Sequence, residues 1–331
     1  LGDDEIKEVP VNKDWTESLT ETGFTKIECQ ISWTENTSRL FYIKSGTDFS
    51  FEGVTFQNTI YDAIYSDASN LKLTLNNSVI TYTGWGLELY GKNTDLEVQN
   101  TNFIRNFNHA IVISSAGDVV LSSTTFQENQ KREEITVGVI EITGYDKNSK
   151  VVMDNLTYKD NLCYLTFADV DLLIRNSIFK NNGYLNGADH LMRFQSINVL
   201  IEDSKFIDNV SDNLCFFWNA EGEFLIHNCE FTNNKTGDWL FDLTSLESVE
   251  HKFVNVDIIN NESNNLLFSS GRLLLDSCDV TDNKCSKSLI YSVPNTKVRS
   301  CLFQNNNVSM DLFQNYSSLD LGLSLFEKNS A

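Results

Sequence analysis

Only two prolines, Pro10 and Pro294, occur in 331 residues, and glycine stands at 16. A chain this poor in both is neither a string of flexible linkers nor a disordered low-complexity segment. No apolar run approaches the ~18 residues of a membrane-spanning helix. Basic residues are scarce, with 25 Lys and Arg against 46 Asp and Glu and a net charge of −21. That composition supplies no clustered cationic surface for phosphate, so no nucleic-acid partner is expected. It suits a solvated exterior kept soluble by self-repulsion. Calcium loops of the D-x-D-x-D-G or glycine–aspartate nonapeptide kind are missing. Leu1 opens the chain without a basic or apolar leader. The expectation is a leader already removed or a piece of a longer chain.

A repeat is what the sequence does contain. Residues 172–182, 199–209 and 224–234 read LLIRNSIFKNN, VLIEDSKFIDN and FLIHNCEFTNN. Anchoring each copy on its last large apolar residue gives Trp33, Phe56, Ile80, Phe103, Phe126, Tyr158, Phe179, Phe206, Phe231, Ile258, Val280, Phe303 and Phe326. Most lie about 21 to 27 residues apart, the spacing of solenoid repeats; Phe126 to Tyr158 is the outlier. Three residues after the anchor stands Asn36, Asn106, Asn129, Asn161, Asn182, Asn209, Asn234, Asn261, Asn283, Asn306 or Asn329, replaced by Thr59 and Thr83 in two copies. Two residues before it runs a mostly small column, including Ser78, Thr101, Thr124, Ser177, Ser204, Cys229, Cys278, Cys301 and Ser324.

Period-two alternation such as Leu172/Ile174 marks strands. One short strand cannot bury its face alone, but three strands and three bends make one coil of a parallel β-helix. Stacked coils pair every backbone group ~4.8 Å above and below. The fold expected is all-β, a single-stranded parallel β-helix of about thirteen coils. Residues 1–23 serve as an N-terminal lead-in or cap and 24–331 as the solenoid, which continues past Ala331 or docks a neighbouring subunit or domain there. The anchor column stacks inside. The plus-three Asn suits a corner, because Asn tolerates left-handed φ and its amide can bond the next coil. Asn106, Asn129, Asn161, Asn182, Asn209, Asn234, Asn261, Asn283 and Asn306 form that structural ladder.

Phe103-x-x-Asn106 followed by His109-Ala110-Ile111, Phe126-x-x-Asn129 followed by Val137-Gly138-Val139-Ile140, and Phe56 followed by Asp62-Ala63-Ile64 resemble the repeats of chlamydial polymorphic outer-membrane proteins. More broadly they resemble the pectin-lyase-like repeats of large surface proteins in bacteria and protists, ciliates by composition. The family's Gly-Gly-Ala-Ile is nowhere intact. The resemblance implies a right-handed coil and a non-catalytic extracellular structural or adhesive glycoprotein module, in a filament or coat of the cell or ciliary surface. A binding module for glycan or protein is the alternative, which aromatic residues in one outward column would favour. A polysaccharide lyase or glycoside hydrolase is a further one.

Candidate chemistry is thin. Asn93-Thr94-Asp95 spells the Asn-Thr-Asp of polygalacturonases, but the partner motifs Gly-His-Gly and Arg-Ile-Lys are absent. Glu133 and Glu134 fall in the insertion at 130–150, too short to wall a cleft. His109, His190, His227 and His251 lack metal spacing, so no metal and no cofactor is expected. Among seven cysteines, Cys229, Cys278 and Cys301 read as small buried fillers; Cys29, Cys163, Cys215 and Cys285 have no stacked partner. Glycosylation sequons stand at Asn76, Asn155, Asn307 and Asn315, and in the corner column at Asn36, Asn209, Asn234 and Asn261. An inward-pointing corner would bar glycan there.

Overall fold

The computed structural model describes residues 29–32, 40–44, 48–129, 138–146, 148–162, 164–183, 190–195, 198–220, 222–293, 295–315 and 317–330. The lead-in at 1–23, Trp33, Asn36, Glu133, Glu134 and Cys163 lie outside them. Every described element is a strand, and every pairing between strands is parallel. From Phe56 to Phe326 the chain makes about eleven turns of a β-solenoid. The expected count of about thirteen took in the copy at Trp33 and reckoned anchors rather than complete turns.

One coil shows the plan. Phe224–His227 leads into Glu230–Thr232, which carries the anchor Phe231; Lys235–Ser245 then runs along a second face. Anchor strands, second strands and third strands each stack on their own kind. Phe103, Phe126, Tyr158, Phe179, Phe206, Phe231, Ile258, Val280, Phe303 and Phe326 pair in register. All but the last are buried, and neighbouring Phe rings lie face to face, Phe179 on Phe206 at 4.7 Å and Phe206 on Phe231 at 4.6 Å, while Tyr158 is tilted 41° and 40° to its neighbours. Stacked pairs of this kind add about 0.5–1.5 kcal/mol each beyond burial. The first coil corrects the sequence register. Ile31, not Trp33, pairs with Phe56, and Cys29 with Val54.

The plus-three Asn column is a continuous chain of amides. Asn209 shows the unit: its Nδ2 donates to Asn234 Oδ1 at 2.9 Å and to the carbonyl of Phe179 at 2.9 Å. Its Oδ1 accepts from Asn182 Nδ2 at 2.9 Å and from the Asn182 backbone N–H at 3.1 Å. Both donors and both lone pairs are therefore used. The pattern runs coil by coil from Asn106 to Asn329. Where Thr83 replaces Asn, its hydroxyl donates to Asn106 Oδ1 at 2.7 Å and closes the chain at that end.

The corner itself works differently from the expectation. The left-handed residue is not the ladder Asn but its predecessor, as at Arg105, Glu128, Asp160, Asn181, Asp208 and Asn233. A second left-handed residue precedes each anchor by three, as at Asn100, Ser123, Asn155, Asn176, Asp203 and Asn228. The two turn the chain on either side of the anchor strand and leave the intervening Asn free to point inward.

The small column is a second ladder. Ser177 Oγ donates to the carbonyl of Arg175 at 2.7 Å and accepts the N–H of Leu156 at 3.0 Å. Cys278 repeats this with Asp276 O at 3.4 Å, and its own N–H meets Cys301 Sγ at 3.4 Å. A thiol replaces a hydroxyl here because either donates and accepts at that spot. Cys229, Cys278 and Cys301 are buried free thiols, and burial pushes the Cys229 thiol up to about 12.

Two substitutions test this core. Phe206→Ala removes one ring from a stacked run and should cost about 3–5 kcal/mol in denaturant unfolding. Asn209→Ala strands two buried donors of Asn182 and should cost at least ~3 kcal/mol. Asn209→Asp keeps the shape but lacks the amide donor and buries a charge. It should be at least as damaging at pH 7 and partly recover on acidification, relative to wild type.

Candidate ligand-binding face

On the second strands, alternate residues point outward and stack into a column. In register these are Thr166, Arg193, Phe216, Asp242, Phe268, Tyr291 and Gln314. At the bend beside it run His190, Asn213, Trp239 and Asn265. On the other side Trp218 follows Gln195. Aromatic residues that are far apart in sequence thus meet on one surface.

Trp239 packs against Phe268 at 5.3 Å and against Tyr291 at 6.2 Å, while Phe268 and Tyr291 lie 5.5 Å apart. With Met310, Lys287 and Gln314 they line an open groove of about 560 Å³. Its polar floor is Asn265 and Ser288, both buried, with the Ser288 N–H held by Asn265 Oδ1 at 3.2 Å. Three residues after Trp239 on the same strand, Asp242 lies in the outward column between Phe216 and Phe268. His190 stacks on Phe216 at 4.4 Å and 13°, and the Arg193 guanidinium lies over the Trp218 ring at 5.7 Å. Rings, a few fixed amides and one carboxylate form a platform for a ligand with flat apolar faces and hydroxyl edges. The same face carries a second aromatic group near the other end. Tyr42, Tyr65 and Tyr90 follow one another at 5.3 and 5.8 Å, and Trp85 stacks on Tyr61 at 6.2 Å.

Asp242 is the perturbed acid of this surface. Burial beneath the neighbouring rings pushes it up to about 6, against a hydrogen bond from Thr244 that pulls it down, with Asp238 adding repulsion. Among the described residues no salt bridge involves it. Asp257 is also raised, by burial and by Asp279 and Glu230, but lies on the anchor face. Glycosidase chemistry requires two carboxylates facing one cleft; beside the groove, Asp242 lies within electrostatic reach of Asp238.

The residues singled out in the sequence fall elsewhere. Asn93 is exposed and bonds Asn70, Thr94 is buried with its hydroxyl on Gly91 O, and Asp95 Oδ1 accepts the N–H of Asp118 at 2.8 Å. All three brace the bend into a third strand. The insertion contributes Ile140–Gly144, an ordinary second strand paired with Ile111. His109 is buried with Nδ1 3.9 Å from Glu141 Oε1, and burial keeps it below the usual range. His251 sits inside the third-strand stack, its Nδ1 2.8 Å from Ser269 Oγ, and burial lowers it to about 4. His190 alone reaches the aromatic face. Among the described residues no group of three or more His, Cys, Asp or Glu is placed to hold a metal ion. No helix among them is long and apolar enough to cross a membrane.

Of the sequons, Asn209, Asn234 and Asn261 are buried ladder members with both amide donors engaged. Asn155 is exposed at a bend, and Asn307 is exposed at the start of a short strand. Asn76 is half-buried with Oδ1 enclosed and unbonded. Asn315 pairs with Ser292, which pairs in turn with Ser269, in one inward column.

Asp242 makes stability depend on pH in a defined direction. Its folded-state value exceeds the ordinary carboxylate value, so the folded chain holds the proton more tightly than the unfolded one. Its contribution to stability is full below about pH 4 and is lost as pH rises through about 6. Asp242→Asn removes that term. The variant's Tm advantage over wild type should therefore grow between pH 4 and pH 7 and then level, as thermal melts across that range will show.

No protein-family model and no curated protein matches the chain. Two solved structures resemble it in fold. One is tailspike protein 3 of bacteriophage CBA120, at 12% identity and a TM-score of 0.30 over 91% of this chain. This chain spans about half of that one, 54%. The other is a mannuronic acid specific polysaccharide family 6 lyase from human gut microbiota, at 10% identity and a TM-score of 0.32. That match covers 88% of this chain and 83% of the lyase. Both likenesses are of the stacked parallel-strand architecture alone.

Proposed function

We propose that this β-solenoid is a non-catalytic glycan-binding module of an extracellular or cell-surface protein. The observation that carries the reading is the groove of Trp239, Phe268 and Tyr291 with its amide floor, laid out along the stack. Coils repeat every ~4.8 Å, close to the advance of one sugar in an extended chain, so successive sugars would meet successive rungs. Aromatic faces take the C–H faces of the sugars, and Asn265, Ser288 and Gln314 take hydroxyls. The binding rings lie outside the solenoid, so ligand contact leaves the ladders untouched. The exposed sequons Asn155 and Asn307 suit a surface glycoprotein.

Titration calorimetry of the purified chain against a panel of soluble oligosaccharides tests the reading. One or more should bind, and Trp239→Ala and Tyr291→Ala should each weaken binding at least ~10-fold while the circular dichroism spectrum stays native. Absence of binding across the panel, or unchanged affinity in both variants, overturns it. On native material, glycopeptide mass spectrometry should find glycan at Asn155 or Asn307 and none at Asn209, Asn234 or Asn261.

A further inference from the structure

Taking the groove as a glycan site, we infer that Asp242 sets its specificity, directing it to neutral or amine-bearing sugars and rejecting uronic acids. Asp242 occupies the outward column with Phe216 on the coil before and Phe268 on the coil after. A sugar chain lying on Phe268 and extended along the column passes over this carboxylate on the next rung. The carboxylate accepts one hydrogen bond, from the hydroxyl of Thr244 at 3.1 Å. Among the described residues no salt bridge neutralises it.

The nearby cations do not offset it. Arg193 stands two rungs away and lies over Trp218. Lys287, exposed in the groove lining, stands on the coil of Tyr291, two rungs from Asp242. Folding does not call for this carboxylate: a partly buried acid without a cationic partner costs stability. Placed between two rings, it accepts paired hydrogen bonds from sugar hydroxyls or binds an ammonium group strongly. A uronate carboxylate set over the same rung meets like charge in a half-buried site, where repulsion is weakly screened. The chain's net charge of −21 adds to the rejection at long range.

The test compares three oligosaccharides of equal length by calorimetry at pH 7 in low salt. They are a β-1,4-linked N-acetylglucosamine oligomer, its partly deacetylated form and an oligomannuronate. Wild type should bind the first two at least ~10-fold more tightly than the third. Asp242→Asn should narrow that gap severalfold, chiefly by strengthening uronate binding. As a measurement independent of the variant, added salt should weaken the amine-bearing oligomer selectively in wild type. Wild-type binding of oligomannuronate as tight as the neutral oligomer overturns the inference while leaving the glycan reading standing. An unchanged ratio in a folded Asp242→Asn also overturns it. Failure of all three sugars to bind, together with the wider panel, defeats the glycan reading itself and the inference with it.

Discussion

The solenoid depends on one buried amide column. From Asn106 to Asn306 each side chain joins the coil before and the coil after, Asn329 joins the coil before, and each also holds an anchor carbonyl. Because every donor and acceptor of an amide is used, a substitute within the run leaves partners unsatisfied; Thr83 serves at its end, where its hydroxyl donates to Asn106 Oδ1. Aspartate lacks the donors, and glutamine adds a methylene to a corner without room for it. The column also sets register. A one-residue slip of a strand would exchange its inward and outward residues and separate every amide from its partner. The ring stack at Phe206 and the hydroxyl or thiol column at Ser177 and Cys278 then follow, since both sit at fixed offsets from the Asn.

That fixed offset explains what was legible in the sequence. Between the last inward residue of a third strand and its anchor the spacing never varies: Ile174 to Phe179, Ile201 to Phe206, Ile226 to Phe231. The anchor strand, its flanking bends and the ladder could therefore be read as columns. The second strand was legible as an apolar run after the corner, as at His109-Ala110-Ile111, but its register was not, because its distance from the anchor changes from coil to coil. Tyr158 is followed by Leu165, whereas Phe126 is followed by Ile140, and both pairs occupy equivalent places. The outward aromatic column hangs on that strand; Phe216, Asp242, Phe268 and Tyr291 each stand 10 or 11 residues after their anchors, but that spacing alone does not say which of the alternating residues faces outward. The left-handed positions were hidden for another reason. They are filled by Asn, Asp, Ser, Arg, Glu, Lys and Tyr alike, because the ladders on either side over-determine the backbone there.

The molecule divides its labour by direction. Inward residues are constrained by stacking and by complete hydrogen bonding. Outward residues carry charge, short interstrand ion pairs such as Lys205 with Glu230 at 2.8 Å, and the aromatic groove. Exposed pairs of that kind contribute little to stability. The outer surface is thus free to vary without cost to the coil, which is how a repetitive scaffold can carry a local binding face. Asn93-Thr94-Asp95 shows the converse: a tripeptide that reads as chemistry is consumed by the bend it builds.

The claim that the amide column holds the coils in register is tested most directly by hydrogen exchange of side-chain amides, followed by ¹⁵N NMR. The Nδ2 protons of Asn129, Asn161, Asn182, Asn209, Asn234, Asn261 and Asn283 should be protected as strongly as backbone amides of the anchor strands. Those of the exposed bend residues Asn176, Asn228 and Asn255 should exchange far faster. Ladder protons that exchange as quickly as the exposed ones would contradict the account.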